Sequence, residues 1–252
     1  MSVLFCVILF KELQIFCKVN GDSMKIVIIN GQNHKGSTYH IAHMLAEKIN
    51  GDIKEFFLPR DFGEFCVGCT KCFMESEKKC PHYEKIKPLT AAMDEADVII
   101  LASPVYVYHV TGAMKAFLDH YGYRWMLHSP EESMFKKQGV CISTAAGAGM
   151  KSTNKDMMDS LFFWGVAKRY KYGISVAAVN WKGVSEKKKR VIDKATSVLA
   201  SKIISNSRNV KPDIKIKGMF YVMRFMQKII ANPRDVRYWR AKGWLGNKRP
   251  WK

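Results

Sequence analysis

No stretch of about twenty apolar residues, the length a membrane-crossing helix needs, occurs in this 252-residue chain, so no transmembrane segment is expected. Two familiar phosphate-binding signatures are also missing. There is no Gly-x-x-x-x-Gly-Lys-Ser/Thr run and no Gly-x-Gly-x-x-Gly run. P-loop chemistry and Rossmann-type dinucleotide binding are therefore not the first readings. Acidic residues are scarce, 22 against 41 Lys and Arg, for a net charge of +19. The imbalance is local, since positions 206–252 hold thirteen Lys and Arg against two Asp. Such a surface favours anionic partners, but no recognised nucleic-acid module accompanies it, and specific nucleic-acid binding is not expected. The first 23 residues have no Lys or Arg ahead of the apolar run Ser2–Phe10 and no clear small-residue cleavage site after it. They read as an N-terminal extension, or a misassigned start upstream of Met24, rather than a secretory signal.

With 48% hydrophobic and 25% charged residues the balance is that of a globular domain, and the length suffices for one sizeable core. The expected organisation is the extension 1–23, a domain over 24–205, and a basic, Trp-rich C-terminal extension over 206–252. Seven cysteines are present, and four crowd into positions 66–80. Without an export signal they point to a reducing, cytoplasmic setting and to metal or redox chemistry rather than disulfides.

From Met24 the hydrophobic pattern alternates between two periods. Strands are expected at Lys25–Asn30, Asp52–Leu58, Asp97–Ser103, Gly139–Thr144 and Tyr170–Val179. Helices are expected at Ser37–Ile49, Tyr83–Ala96, Thr111–Tyr121, Thr153–Val166 and Ser185–Ile204. The run Asp97–Ser103 is apolar throughout its middle, as a parallel strand buried on both faces should be. Five such repeats predict an α/β, doubly wound, five-stranded parallel sheet with helices on both faces. With right-handed crossovers the natural strand order is 2-1-3-4-5. A ligand then belongs beyond the carboxyl ends of strands 1 and 3, where the winding reverses. After Ser205 the pattern breaks into a polar segment, an apolar-rich helix at Gly218–Ile230, and the tail.

Three loops follow strands on that rim. Asn30–Thr38 carries two glycines, Gln32, His34, Ser37 and Thr38. It offers backbone N–H groups, hydroxyls and a helix start to a phosphate, or it is a plain turn with Ser37 as N-cap. Ser103–Thr111 carries Pro104, Val105, Tyr106 and Tyr108, flat amphipathic surface beside a planar ligand, or aromatics packed on the next helix. Thr144-Ala145-Ala146-Gly147-Ala148-Gly149 has side chains small enough for close backbone approach, or is Gly-rich for conformational reasons. Tyr123–Met126 reads better as a packed helix end than as a pocket wall.

Over about Lys25–Ile204 these loops, together with Thr111-Gly112 and Lys115, resemble the NADPH-dependent FMN reductase group of the flavodoxin-like superfold. That group includes iron–sulfur flavoproteins and NAD(P)H-dependent quinone or azo reductases. The resemblance implies that Gln32, His34, Ser37 and Thr38 hold the phosphate of flavin mononucleotide (FMN). It implies that Pro104, Val105 and Tyr106 meet the flavin ring, and that Thr144, Ala145, Ala146, Gly147 and Gly149 close its other side. The group's usual Gly-Ser-Pro-Arg start is here Gly31-Gln32-Asn33-His34. NAD(P)H as electron donor and a homodimer are further implications.

The spacing Cys66-x2-Cys69-x2-Cys72-x7-Cys80 suits an iron–sulfur cluster, because a short loop can wrap a compact cube. It is also similar to that of the iron–sulfur flavoproteins. Zinc and reduced thiols beside a flavin are the alternatives, and of the dispersed histidines none is singled out. Three functions follow: an FMN-dependent NAD(P)H oxidoreductase acting on a quinone, nitro, azo or flavin acceptor; an iron–sulfur flavoprotein relaying electrons to a protein partner; or a non-redox interaction protein that uses the basic tail.

Overall fold

Three strands are buried on both faces, and their sequences explain it. In the computed structural model, which describes residues 23–229 and 232–252, these are β1 (Lys25–Asn30), β3 (Val98–Pro104) and β4 (Gln138–Ala145). β1 and β3 are β-branched or otherwise apolar through their middles and leave no polar face, and β4 buries Gln138, Ser143 and Thr144 beside Val140, Cys141 and Ile142. The edges are β2 (Asp52–Phe57) and β5 (Lys168–Ser175), which alternate partly exposed positions. All pairings are parallel, in the order β2-β1-β3-β4-β5, with Ile28 opposite Ile100. The doubly wound sheet and its strand order are those the sequence predicts. The extension 1–23 lies almost wholly outside the described residues, and Cys6, Cys17 and Ile230 lie outside them too.

Alternate residues of each central strand feed opposite layers. Val27, Ile29, Ile99 and Leu101 face α3 (Tyr83–Glu95), α4 (Gly112–Asp119) and α5 (Met150–Phe163), through Leu89, Met93, Phe117 and Leu161. Ile26, Ile28, Val98 and Ile100 face α1 (Ser37–Ile49) and α6 (Glu186–Asn206), through Ile41, Leu45, Ile192 and Ile203. A four-residue helix, α2 (Lys71–Met74), interrupts the cysteine-bearing loop. Among the described residues no helix is long and apolar enough to cross a membrane.

Three elements differ from expectation by three residues or more at an end. β5 begins at Lys168 and ends at Ser175, not at Tyr170 and Val179. Val176 N–H still donates to Ala145 O, but Ala177 turns into the left-handed region and carries the apolar run off the sheet. α5 starts at Met150, three residues early, with Gly149 as its N-cap. The C-terminal helix α7 (Ile214–Ile229) starts four residues before Gly218, because Asp213 accepts from Ile216 N–H at 2.9 Å and so caps the first turn.

The last helices, α7 and α8 (Pro233–Ala241), form a third apolar cluster. Phe220, Trp239 and Trp244 pack with Met126 and Phe135 of the segment between α4 and β4. Several polar groups on this seam are paired. Trp239 Nε1 donates to His128 O at 2.8 Å, Tyr238 OH to Pro130 O at 2.7 Å, and His128 Nδ1 lies 2.8 Å from Asp235. Of Tyr123–Met126, Met126 belongs to this packing and Tyr123 to the first apolar layer. Arg124 is buried in a two-pronged pair with Asp94 at 2.6 and 2.7 Å, Trp125 stacks on Phe163, and none of the four lines the cleft described below.

Candidate functional site

β1 hands the chain to α1 through a loop fixed at its base. Gly31 N–H donates to Ala102 O at 2.7 Å, and Thr111 Oγ1 donates to Gly31 O at 2.6 Å. A Cβ on Gly31 would stand 3.0 Å from Thr111 Oγ1 and 3.1 Å from Ser103 Oγ, so a larger residue would need those side chains to give way. The loop ends at Gly36, extended, which is the N-cap of α1. Ser37 is the first helical residue, not the cap as the plainer reading had it. Glycine offers no side-chain acceptor, so no side chain satisfies the first-turn N–H groups, and that turn contains no acid. The helix end is a positive, unsatisfied surface. Lys35 lies over the Tyr39 ring, and burial together with the charges of His43 and Lys35 holds His40 below its ordinary pKa. Thr38 Oγ1 and Thr144 Oγ1 share a 2.5 Å hydrogen bond that ties the first loop to the third.

The second loop is a tight turn. Tyr106 and His109 exchange backbone hydrogen bonds of 2.9 and 3.0 Å around Val107 and Tyr108, both with positive φ (47° and 66°). A β-branched residue in that region stores strain, roughly 1–3 kcal/mol, which surrounding contacts must hold. Those contacts come from α5. His109 Nδ1 lies 2.9 Å from Asp156, and Ser152 donates to Tyr108 O. Gln32 donates to Tyr106 OH and links this turn to the first loop. The tip is apolar and outward, with Val107 93% and Tyr108 64% exposed.

Gly149 supports the turn from behind. Its φ is +98°, and a Cβ there would sit 2.5 Å from Val105 Cγ1 and 3.2 Å from Tyr108 Cα. Gly149→Ala is expected to lower stability by about 1–3 kcal/mol, from backbone strain and overpacking. Denaturant unfolding checks this, and an unchanged midpoint would show that Val105 yields freely.

The three loops enclose one cleft of about 350 Å³ at the carboxyl ends of β1, β3 and β4. That is within the range of roughly 300–1,000 Å³ found for small-ligand sites. Of the expected residues, Gln32, His34, Ser37, Thr38, Pro104, Val105, Tyr106, Thr144, Ala145 and Ala146 line it. Gly147 and Gly149 do not; a Cβ on Gly147 would meet open space, and Gly149 serves the turn. The sequence reading missed Tyr39 and the Val176–Val179 segment, of which Val176, Ala178 and Val179 form a wall. Their only signal was an apolar run that reads as more of β5. The cleft suits FMN chemically: a polar, positive end at α1 for a phosphate and an apolar rim at Val105, Tyr106 and Val176 for a ring system.

The cysteines lie elsewhere on the molecule. Cys66 and Cys69 are exposed, Cys72 and Cys80 are half-buried, and all four are free thiols. Burial first, then the charges of Cys80, Cys66 and Cys69, push the Cys72 thiol up to about 11. All four lie on the one loop between β2 and α3. The ligand atoms that converge most tightly are different: Cys80, His82 and His120 bring theirs within 4.8 Å of one another. No sequence signal links His120 to the loop. The fourth cysteine's neighbour in Cys80-Pro81-His82 was the only hint.

Comparison with known proteins agrees with this geometry. An iron–sulfur flavoprotein of Archaeoglobus fulgidus is 26% identical over 148 residues, 58% of this chain and 58% of that protein. An NADPH azoreductase of a Bacillus species is 29% identical over 135 residues, 52% of this chain and 64% of that protein. The chain spans about half the length of the curated relatives it matches. Among solved structures, an FMN-dependent NADH-azoreductase from Bacillus anthracis superposes with a TM-score of 0.50 at 13% identity, covering 69% of this chain and 99% of that one, which shows a shared fold. The family model for NADPH-dependent FMN reductases matches residues 24–178, the sheet and all three cleft loops, and the chain belongs to that family.

Proposed function

We propose that this chain binds FMN in the cleft and acts as an NAD(P)H-dependent oxidoreductase on a small quinone, nitro, azo or flavin acceptor. The observation that carries this reading is the convergence of three loops at the winding reversal, with the uncapped start of α1 at one end and an apolar rim at the other. In this reading Ser37 and Thr38 hold the phosphate with the α1 N–H groups, and Gln32 and His34 border it. Pro104, Val105 and Tyr106 lie against the ring, with Thr144, Ala145 and Ala146 opposite. Bound FMN supplies hydride acceptance and donation. The protein positions it, excludes water from one face and sets the field around it. The apolar tip at Val107 and Tyr108 is the surface on which a second subunit would cover the ring.

A relay of electrons to a protein partner is the second reading. The close spacing of Cys66, Cys69, Cys72 and Cys80 on one loop favours it, since that set would hold an iron–sulfur cluster. Steady-state assays separate the two. With FMN-loaded protein, NADPH or NADH oxidation should accelerate on adding a small quinone or azo compound. Flavin that NAD(P)H reduces but no small acceptor reoxidises would favour the relay. Flavin that neither NADH nor NADPH reduces would overturn the donor assignment.

A further inference from the structure

The proposed flavin chemistry leaves His82 and His120 without a role, and Cys80 has one only in the relay reading. We propose that these three side chains bind a single zinc ion, which fastens the cysteine-bearing loop to the end of α4. The inference uses none of the cleft residues.

The donor set is the first argument. One thiolate and two imidazoles converge within 4.8 Å, and zinc prefers such mixed sulfur–nitrogen surroundings. The second argument is the orientation of the rings. His120 Nδ1 lies 2.7 Å from Ala116 O, a backbone acceptor, so Nδ1 carries the proton and Nε2 presents a lone pair. That lone pair points at His82 Nδ1, 2.9 Å away. On its far side, His82 Nε2 faces the Glu64 carboxylate at 3.9 Å. His120 therefore has a backbone carbonyl as outer partner on the nitrogen turned away from the shared point, the arrangement that fixes a metal-bound histidine, whereas the Glu64 carboxylate near His82 stands beyond hydrogen-bond distance. Phe62 stands edge-on to His120 at 4.9 Å and walls the site from the core side.

Two nitrogens each about 2.0–2.1 Å from zinc stand roughly 3.3 Å apart in a tetrahedron, so to take the ion the two rings must separate by a few tenths of an ångström and each turn by roughly 35° to aim its lone pair at the metal instead of at the other ring. Without metal, His82 Nδ1–H donates to His120 Nε2. With metal, both nitrogens donate lone pairs to zinc, and the His82 proton moves to Nε2, on the side that faces Glu64. Cys80 gives up its thiol proton, so one proton is released per zinc. The fourth ligand comes from outside these three. Binding joins segments 38 residues apart in sequence, so its free energy adds to folding stability.

The test uses the full chain, purified under reducing conditions and stripped with a chelator. Zinc is titrated against a chromophoric chelator, and cobalt(II) is used to look for a thiolate charge-transfer band. One zinc per chain is expected, with a rise in thermal midpoint. His82→Ala and Cys80→Ser should each weaken binding by more than about a hundredfold, since losing even an outer-shell partner can cost 10–100-fold. A Cys66→Ser/Cys69→Ser double variant should keep the affinity. Because His120 is buried, the half-buried His82 and Cys80 carry the test, with circular dichroism as the folding control. FMN content should be the same in every variant, so failure here leaves the cofactor reading standing. No zinc uptake, or an affinity that follows Cys66 and Cys69 while ignoring His82, would overturn the proposal. So would iron and acid-labile sulfide found in place of zinc.

Discussion

Ser37→Glu is expected to lower FMN affinity by at least about a hundredfold. Ser37 is nearly buried at the first position of α1, where the helix has no side-chain cap and no acid in its first turn. A carboxylate there would take the place, and reverse the effect, of the positive field that favours a phosphate. Two unit charges about 4 Å apart interact by roughly 4 kcal/mol at an effective dielectric of 20. With about 1.4 kcal/mol per tenfold, part of that repulsion suffices for the predicted loss. The glutamate could also fold back onto the free N–H groups and cap the helix, which would block the phosphate by occupancy. Ser37→Ala, which removes a hydroxyl and adds no charge, should lose less than about tenfold. Flavin-fluorescence titration measures both. Equal affinities for wild type and Ser37→Glu would remove the phosphate from this end of the cleft.

Trp239→Ala should have the largest effect on stability, about 3–5 kcal/mol. Trp239 is fully buried, stacks on Phe220 with centroids 4.9 Å apart, and meets Trp244 edge-on. Its truncation opens a cavity and leaves His128 O without its donor. Trp239→Phe keeps most of the apolar contact and should cost about 1–2 kcal/mol, chiefly the lost hydrogen bond. Urea or guanidinium unfolding reads both. FMN affinity should not change, because neither Trp239 nor its packing partners line the cleft. A loss below about 1 kcal/mol would mean that α7 and α8 rest on the domain without stabilising it.

How far the sequence could be read follows from what each segment faces. β1 and β3 are buried on both sides, so their apolar runs mark them almost to the residue. β5 is an edge strand, Lys-Arg-Tyr-Lys-Tyr at its start, and its charged residues keep partial exposure while pairing with β4. The apolar signal came instead from Val176–Val179, which lines the cleft rather than the sheet. Apolarity reports burial or ligand contact alike, and sequence does not separate them. The start of α7 was hidden for a different reason: Ile214–Lys217 alternates apolar and basic residues, and its cap, Asp213, sits in a segment that composition marks as polar linker.

The cleft residues were legible because topology does the work. In a doubly wound sheet the loops after strands 1, 3 and 4 must meet on one rim, whatever their sequence. Details of role were not legible. Gly149 reads as a ligand-facing glycine, yet it supports the strained Val107–Tyr108 turn from outside the cleft. The pairing of His82 with His120 depends on the loop folding back onto the last turn of α4, a tertiary event with no periodic trace in the sequence.

The most direct test of the central claim is the absorbance spectrum of the anaerobically purified protein, with FMN, iron and acid-labile sulfide quantified on the same sample. The cofactor reading predicts the absorption bands of bound flavin at about one FMN per chain, present as purified or restored by incubation with FMN, and bleached by NADPH or NADH. Protein that shows no bound flavin even after incubation with excess FMN would contradict it.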